Sequence, residues 1–178
     1  MLTPNSLIIL KYNSNFILYS LTKVINSIIS NYIMVIRTAT KEDLGKIIEI
    51  EKLSFPNPWG YNYFNAALKD LLIVYEDEET KKVVGYLIAV CCKHNKAIIM
   101  KLAVHPEYRG RGIATKLLKA ILEMLKERDI EAVEIDVDMV NKGAIELYER
   151  VGFKIARTIP MNSEDESFYT MKLKLSKS

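Results

Sequence analysis

The run Leu102-Ala103-Val104-His105-Pro106-Glu107-Tyr108-Arg109-Gly110-Arg111-Gly112-Ile113-Ala114-Thr115 constrains this chain more than any other segment. An apolar strand enters a turn of Gly and Arg, and that turn opens directly into an amphipathic helix. The first N–H groups of a helix have no intrahelical acceptor, and glycines let an anion come close to such a backbone. The segment therefore reads as a phosphate cradle, with Arg109 and Arg111 adding positive charge. The bland alternative is a Gly-rich turn whose arginines are simply solvated.

The apolar pattern on either side sets an order of elements. Residues 35–38 alternate and predict a short first strand. Thr40 is a natural N-cap for a helix over 41–54, whose Leu44, Ile47, Ile48, Ile50 and Leu53 fall mostly on one face. Pro56 and Pro58 make 55–60 a loop, and a second helix follows from Tyr61 to about Lys69. Strands are expected at 71–75, 83–92 and 97–104, the first two separated by an acidic turn. A long helix over 113–128 turns Leu117, Leu118, Ile121, Leu122 and Leu125 inward. A fifth strand at 132–137 leads to a helix over 142–150 that Gly152 stops. Segments 153–159 and 167–175 close as a hairpin. The order predicts an α/β (α+β) fold, a mixed sheet with helices on both faces.

Bulk properties exclude several classes. The chain has 178 residues, enough for one domain with a sizeable core. A net charge of +3 is too small to argue for a nucleic-acid partner. Cys91 and Cys92 are adjacent, so on a strand they point to opposite faces and do not bridge; they are expected to be buried thiols in a reducing cytoplasm. No Cys/His spacing predicts a metal site.

Residues 1–33 hold no Gly, Ala, Arg, Asp or Glu. Lys23, Asn26 and Asn31 interrupt their apolar run and argue against a membrane span. This segment is expected to be an extension outside the fold, with Met34 as a plausible start and a peripheral anchoring helix as the competing reading. Residues 34–178 then form one domain.

Two motifs carry a family resemblance. Arg109-Gly110-Arg111-Gly112-Ile113-Ala114 fits the pattern Gln/Arg-x-x-Gly-x-Gly/Ala, in the strand-to-helix context that such a pattern requires. Asn141-Lys142-Gly143-Ala144-Ile145-Glu146-Leu147-Tyr148-Glu149-Arg150-Val151-Gly152-Phe153 fits Asn-x-x-Ala-x-x-x-Tyr-x-x-x-Gly-Phe. With a helix and a strand between them, the chain resembles the GNAT superfamily of acetyl-CoA-dependent N-acetyltransferases over about residues 35–175. It looks most like the protein N-terminal and ribosomal-protein-alanine acetyltransferases.

The resemblance implies a sheet splayed between its fourth and fifth strands, with acetyl-CoA in the gap. Leu102, Ala103 and Val104 would pair by their backbone with the pantetheine arm. Arg109, Gly110, Arg111, Gly112, Ile113, Ala114 and Thr115 would surround the diphosphate; Arg111, in mid-loop, has facing water as its alternative. Asn141 would cap its helix and touch the pantetheine. Tyr148 would protonate the departing thiolate, and Asp136 would take the amine's proton, directly or through water. Glu134 and Asp138, its neighbours on the same face, are alternative bases. Phe55, Pro58, Trp59 and Tyr61 would border the acceptor groove.

One departure weighs against peptide acceptors. Thr158 and Ile159 stand where such relatives often carry a tyrosine pair, with Tyr61, Tyr63 or Tyr169 as candidate substitutes. The acceptor implied is a protein N-terminus. The alternatives are a small cationic amine, such as a polyamine or aminoglycoside, or no acceptor at all in a non-catalytic acyl-CoA sensor; the acidic run Glu164-Asp165-Glu166 would suit either ammonium.

Overall fold

The computed structural model describes residues 36–77, 79–160 and 167–176. The chain divides after Val35. The expected extension at 1–33, the start at Met34 and the acidic run at 164–166 all lie outside the described residues.

Seven strands form one sheet: β1 (Ile36–Thr38), β2 (Leu71–Glu76), β3 (Val83–Cys92), β4 (Lys96–Val104), β5 (Ala132–Asp138), β6 (Lys154–Pro160) and β7 (Ser167–Lys174). Their spatial order is β1-β2-β3-β4-β5-β7-β6. Every neighbouring pair is antiparallel except β4–β5, which is parallel. Among the described residues four α-helices accompany the sheet: α1 (Leu44–Ser54), α2 (Tyr61–Ala67), α3 (Ile113–Lys126) and α4 (Lys142–Val151).

The helix starts follow local chemistry. Thr40 caps a 3-10 turn, Lys41–Asp43, that leads into α1, so the expected helix begins one turn later than the pattern suggested. The Thr40 N–H donates to the Asp43 carboxylate at 2.8 Å, and Arg37 grips the same carboxylate at 2.7 and 2.9 Å. Arg37 also reaches Glu76, which ties β1 and the α1 entry to β2. At α4, the Asn141 side chain accepts from the Ala144 N–H at 3.2 Å, and Gly152 leaves the helix at φ +110°.

α1 and α2 cover one face of the sheet, where Leu44, Ile47, Ile50 and Phe64 meet Leu72, Val74, Tyr86, Ile88 and Ala103. Leu53 departs from the expected face and is exposed, whereas Glu51 is fully buried. α3 lies on the other face. All five residues expected to turn inward are buried, and Ile113 joins them. Each such side chain contributes roughly 1.5–3 kcal/mol relative to exposure.

Where β3 runs past its helical cover it becomes accessible. Cys91 and Cys92 are therefore exposed free thiols, not the buried pair expected. Among the described residues no helix is long and apolar enough to cross a membrane.

β4 and β5 pair only from Lys96↔Ala132 to Ile99↔Ile135. Beyond that point the two strands separate. On its other side β4 stays paired with β3, but the register jumps: Ala89 faces Ile99 while Ile88 faces Lys101. Met100 is the extra residue, a β-bulge at the place where the parting begins. The splay implied by the resemblance is present, and a bulge marks its origin.

Gly85 sets how closely α3 approaches the sheet. A Cβ there would sit 3.2 Å from Ile113 Cγ2 and 3.3 Å from both Leu117 Cδ1 and the Ala103 carbonyl oxygen. Gly85→Val is expected to cost about 1–3 kcal/mol, the range for overpacking a filled core. An earlier urea midpoint measures this, and an unchanged midpoint contradicts such close packing.

Candidate active site

The β4-to-α3 connection begins at the strand end. A 3-10 turn, Pro106–Tyr108, reverses the chain, and Gly110 and Gly112 then take φ of +77° and +75°. These are left-handed conformations that strain any residue with a Cβ. The first backbone bond of α3 runs from the Lys116 N–H to the Gly112 carbonyl at 3.1 Å. The N–H groups of Ile113, Ala114 and Thr115 thus emerge at the positive end of a 14-residue helix.

These amides open into a cleft of about 680 Å³. Leu102, Ala103 and Val104 form one wall; Arg109, Gly110, Gly112 and residues 113–115 form its end. Asn141, Ala144, Leu147 and Tyr148 close it from α4, and Ser54 and Phe55 reach it from the opposite face of the sheet. Residues expected on the cofactor side are therefore brought together, with one exception. The Arg111 guanidinium stacks 4.8 Å from the Tyr108 ring, donates to the Glu107 carbonyl and lines a separate depression beside Asp77 and Glu79. Arg109 stays, held by the Val104 carbonyl at 3.0 Å and the Ser54 hydroxyl at 3.1 Å.

Tyr148 packs its ring against Phe153 and is only 7% exposed. No protein group among the described residues takes its hydroxyl. That oxygen is not sealed off either, since no buried side-chain polar atom among the described residues lacks a partner. The hydroxyl therefore opens on the cleft. Burial pushes the phenol up to about 12, so it keeps its proton at neutral pH.

The row of acids on β5 is not uniform. Glu134 is neutralised by Lys172 at 3.4 Å and Arg157 at 3.7 Å. Asp138 accepts the Val140 N–H and fixes the turn into α4. Asp136 lies beyond the last β4 partner, is exposed, and forms no ion pair among the described residues. It accepts the Thr170 hydroxyl at 2.6 Å, and Thr170 in turn accepts Arg157 Nε.

The 55–59 loop, expected to border the acceptor groove, turns its two aromatic ends onto the body while Pro56, Asn57 and Pro58 stay exposed. Trp59 packs on Phe64 and Tyr63, Phe55 lies over the Lys101 ammonium, and Tyr61 is exposed. Tyr169 sits directly opposite Thr158 across the β6–β7 pair.

Sequence reasoning missed three features here: the Met100 bulge, Lys101, and the buried carboxylate of Glu51. For Glu51 a signal existed, because position 51 continues the inward spacing of Leu44 and Ile47.

Comparison with known proteins places this geometry. Residues 44–153 match the model of the Acetyltransferase (GNAT) family. An uncharacterised N-acetyltransferase of Methanocaldococcus jannaschii is 33% identical over 67% of this chain, a match that spans 60% of the relative's own length. An N-alpha-acetyltransferase of Saccharolobus solfataricus is 30% identical, over 70% of this chain and 82% of its own. In fold, the ribosomal-protein-S18-alanine N-acetyltransferase of Escherichia coli superposes with a TM-score of 0.70 at 24% identity, covering 80% of this chain and 94% of that one. YncA of Salmonella typhimurium, solved with its cofactor acetyl-CoA, gives 0.69 at 19% identity, covering 80% and 94%.

Burial of Tyr148 makes a pH prediction. Below about pH 10 the phenol is neutral in folded and unfolded chains alike. Between there and about 12 the unfolded chain loses the proton while the folded one keeps it, so stability falls as pH rises. Tyr148→Phe is expected to lose about 1–3 kcal/mol less than the parent across that window in urea titrations, with Tyr86 acting equally on both. Parallel losses contradict a buried, protonated Tyr148. A glycine cradle, a bulged and parting β4, and the matched family model agree: this chain belongs to the GNAT family of acetyltransferases.

Proposed function

We propose that this chain, as one domain over residues 34–178, transfers the acetyl group of acetyl-CoA to the α-amino group of a protein N-terminus. The reaction is direct, in a ternary complex. The observation that carries the reading is that outward-facing amides at the α3 N-terminus share one cleft with Tyr148, whose hydroxyl has no partner among the described residues, where β4 leaves β5. The relative from Saccharolobus, named for N-alpha acetylation, supports the acceptor class. Two exposed, unbridged cysteines suit a reducing cytoplasm.

Each part of the chain has a task. Gly110, Gly112 and the N–H groups of residues 113–115 hold the diphosphate. Leu102, Ala103 and Val104 have lost β5 as a partner, so their backbone offers N–H and C=O groups to the pantetheine amides. Acetyl-CoA supplies a thioester carbonyl, which a neutral amine attacks with release of the CoA thiolate. A β4 N–H near the bulge stabilises the developing oxyanion. Asp136, which lies past the last β4 partner and accepts only the Thr170 hydroxyl among the described residues, accepts the ammonium proton directly or through one water. Tyr148 donates its proton to the sulfur. Orientation of amine and thioester supplies most of the acceleration, roughly 7–11 kcal/mol.

A small cationic amine is the competing acceptor, favoured by Thr158 and Ile159 on β6. Tyr169, opposite Thr158, is the candidate substitute for the missing tyrosine pair. Mass spectrometry of cellular N-termini with and without this chain separates the two: loss of acetyl groups from a set of N-termini supports the reading, and an unchanged profile with acetylated polyamines overturns it.

Tyr148→Phe is expected to lower kcat about a hundredfold or more, the usual worth of a placed general acid. Acetyl-CoA affinity should stay within about twofold of the parent. Equal losses in both, measured by steady-state kinetics and calorimetry, contradict the proton-donor role. Binding without transfer to any amine identifies a sensor instead.

A further inference from the structure

Glu51 is a carboxylate with no exposure at all. Its Oε1 accepts the Trp59 N–H at 2.9 Å and lies 3.0 Å from Lys101 Nζ. Its Oε2 accepts the Tyr86 hydroxyl. A buried carboxylate is costly unless a cation and further donors compensate it, and here all are present. Lys101 is itself largely buried, with its side chain 14% exposed. Its ammonium lies 3.8 Å from the centre of the Phe55 ring and 5.2 Å from that of Trp59. One ammonium thus faces a carboxylate on α1 and two aromatic rings of the 55–59 loop.

Lys101 is also the residue immediately after the Met100 bulge, on the strand segment that has parted from β5. The backbone that would carry the thioester and the loop that would border the acceptor are joined through this one side chain. Stability alone does not call for it, because an apolar residue of similar volume usually serves a buried site as well or better. A charged group that touches a carboxylate and two rings at once does something an apolar one does not: it fixes the loop in one place relative to the strand.

We propose that Lys101, acting through Glu51, Phe55 and Trp59, is a positioning residue for the acceptor amine. It holds the 55–59 wall at a set distance from the bulged β4, and so governs acceptor binding and leaves cofactor binding alone. The kinetic part rests on the acetyl-transfer reading above; the positioning of the loop does not.

Lys101→Met tests this, with Lys101→Arg as the conservative control and Glu51→Gln as the partner change. With N-terminal peptides as acceptor, Lys101→Met is expected to raise the acceptor KM about tenfold, with kcat and acetyl-CoA affinity within about threefold of the parent. Lys101→Arg should recover part of that loss. Trp59 is the only tryptophan in the chain, so its fluorescence reports the loop without any need for activity. In Lys101→Met, acrylamide quenching of Trp59 should rise about twofold or more at a temperature where circular dichroism shows the variant folded. An unchanged acceptor KM, or unchanged quenching in a folded variant, overturns the proposal. If Lys101→Met does not fold, Lys101→Arg and Glu51→Gln decide by the same two readouts. If the parent acetylates no amine, the transfer reading falls, and the quenching result alone decides the positioning.

Discussion

The parting of β4 from β5 governs everything else in this structure. Parallel strands pair well only while their register and twist agree. Here agreement ends at Ile99↔Ile135, and Met100 bulges at once on the side of β3. The backbone from Met100 to Val104 is left with one paired edge and one open edge. In a core an open edge would be a defect. Beside a cleft it is a template, able to bond an extended ligand as a neighbouring strand would.

The remaining elements aim other groups at that opening. Gly85 lets α3 settle close to β3, which brings the α3 N-terminus level with the end of β4. Gly110 and Gly112 take the left-handed turns that leave the first amides of α3 facing outward. Asn141 starts α4, and three-residue spacing along the helix carries Ala144 and Leu147 to the cleft, with Tyr148 beside them. On the opposite face Glu51, Tyr86 and Lys101 hold the 55–59 loop inward. The amide cradle and the 55–59 loop are therefore built on different faces of one sheet, and Ser54 and Phe55 reach the cleft where the sheet opens.

Much of this was legible in the chain itself. Period-3.6 patterning placed all five inward residues of α3, because a single strong apolar stripe decides a helix face. The glycine cradle was legible because positive φ demands glycine. Other features were not. The spacing of Glu51 pointed inward, but its charge argued against burial, and its compensating cation lies fifty residues away on β4. The bulge at Met100 depends on the register of two strands and leaves no local mark. The different fates of Glu134 and Asp136 depend on Arg157, Thr170 and Lys172, which arrive from β6 and β7. Arg111 had either the diphosphate or water as its expected place, and Tyr108 offers it a ring on the far side of the loop. Cys91 and Cys92 looked buried because β3 is apolar, yet the strand outruns its helices.

The central claim is that an acyl-CoA lies along the open edge of β4 with its diphosphate on the α3 amides. Backbone amide hydrogen exchange, resolved by residue with and without acetyl-CoA, tests it most directly. Slowed exchange confined to the amides of residues 100–104 and 110–115 is the expected result. Slowing elsewhere, or none at saturating acetyl-CoA, contradicts it.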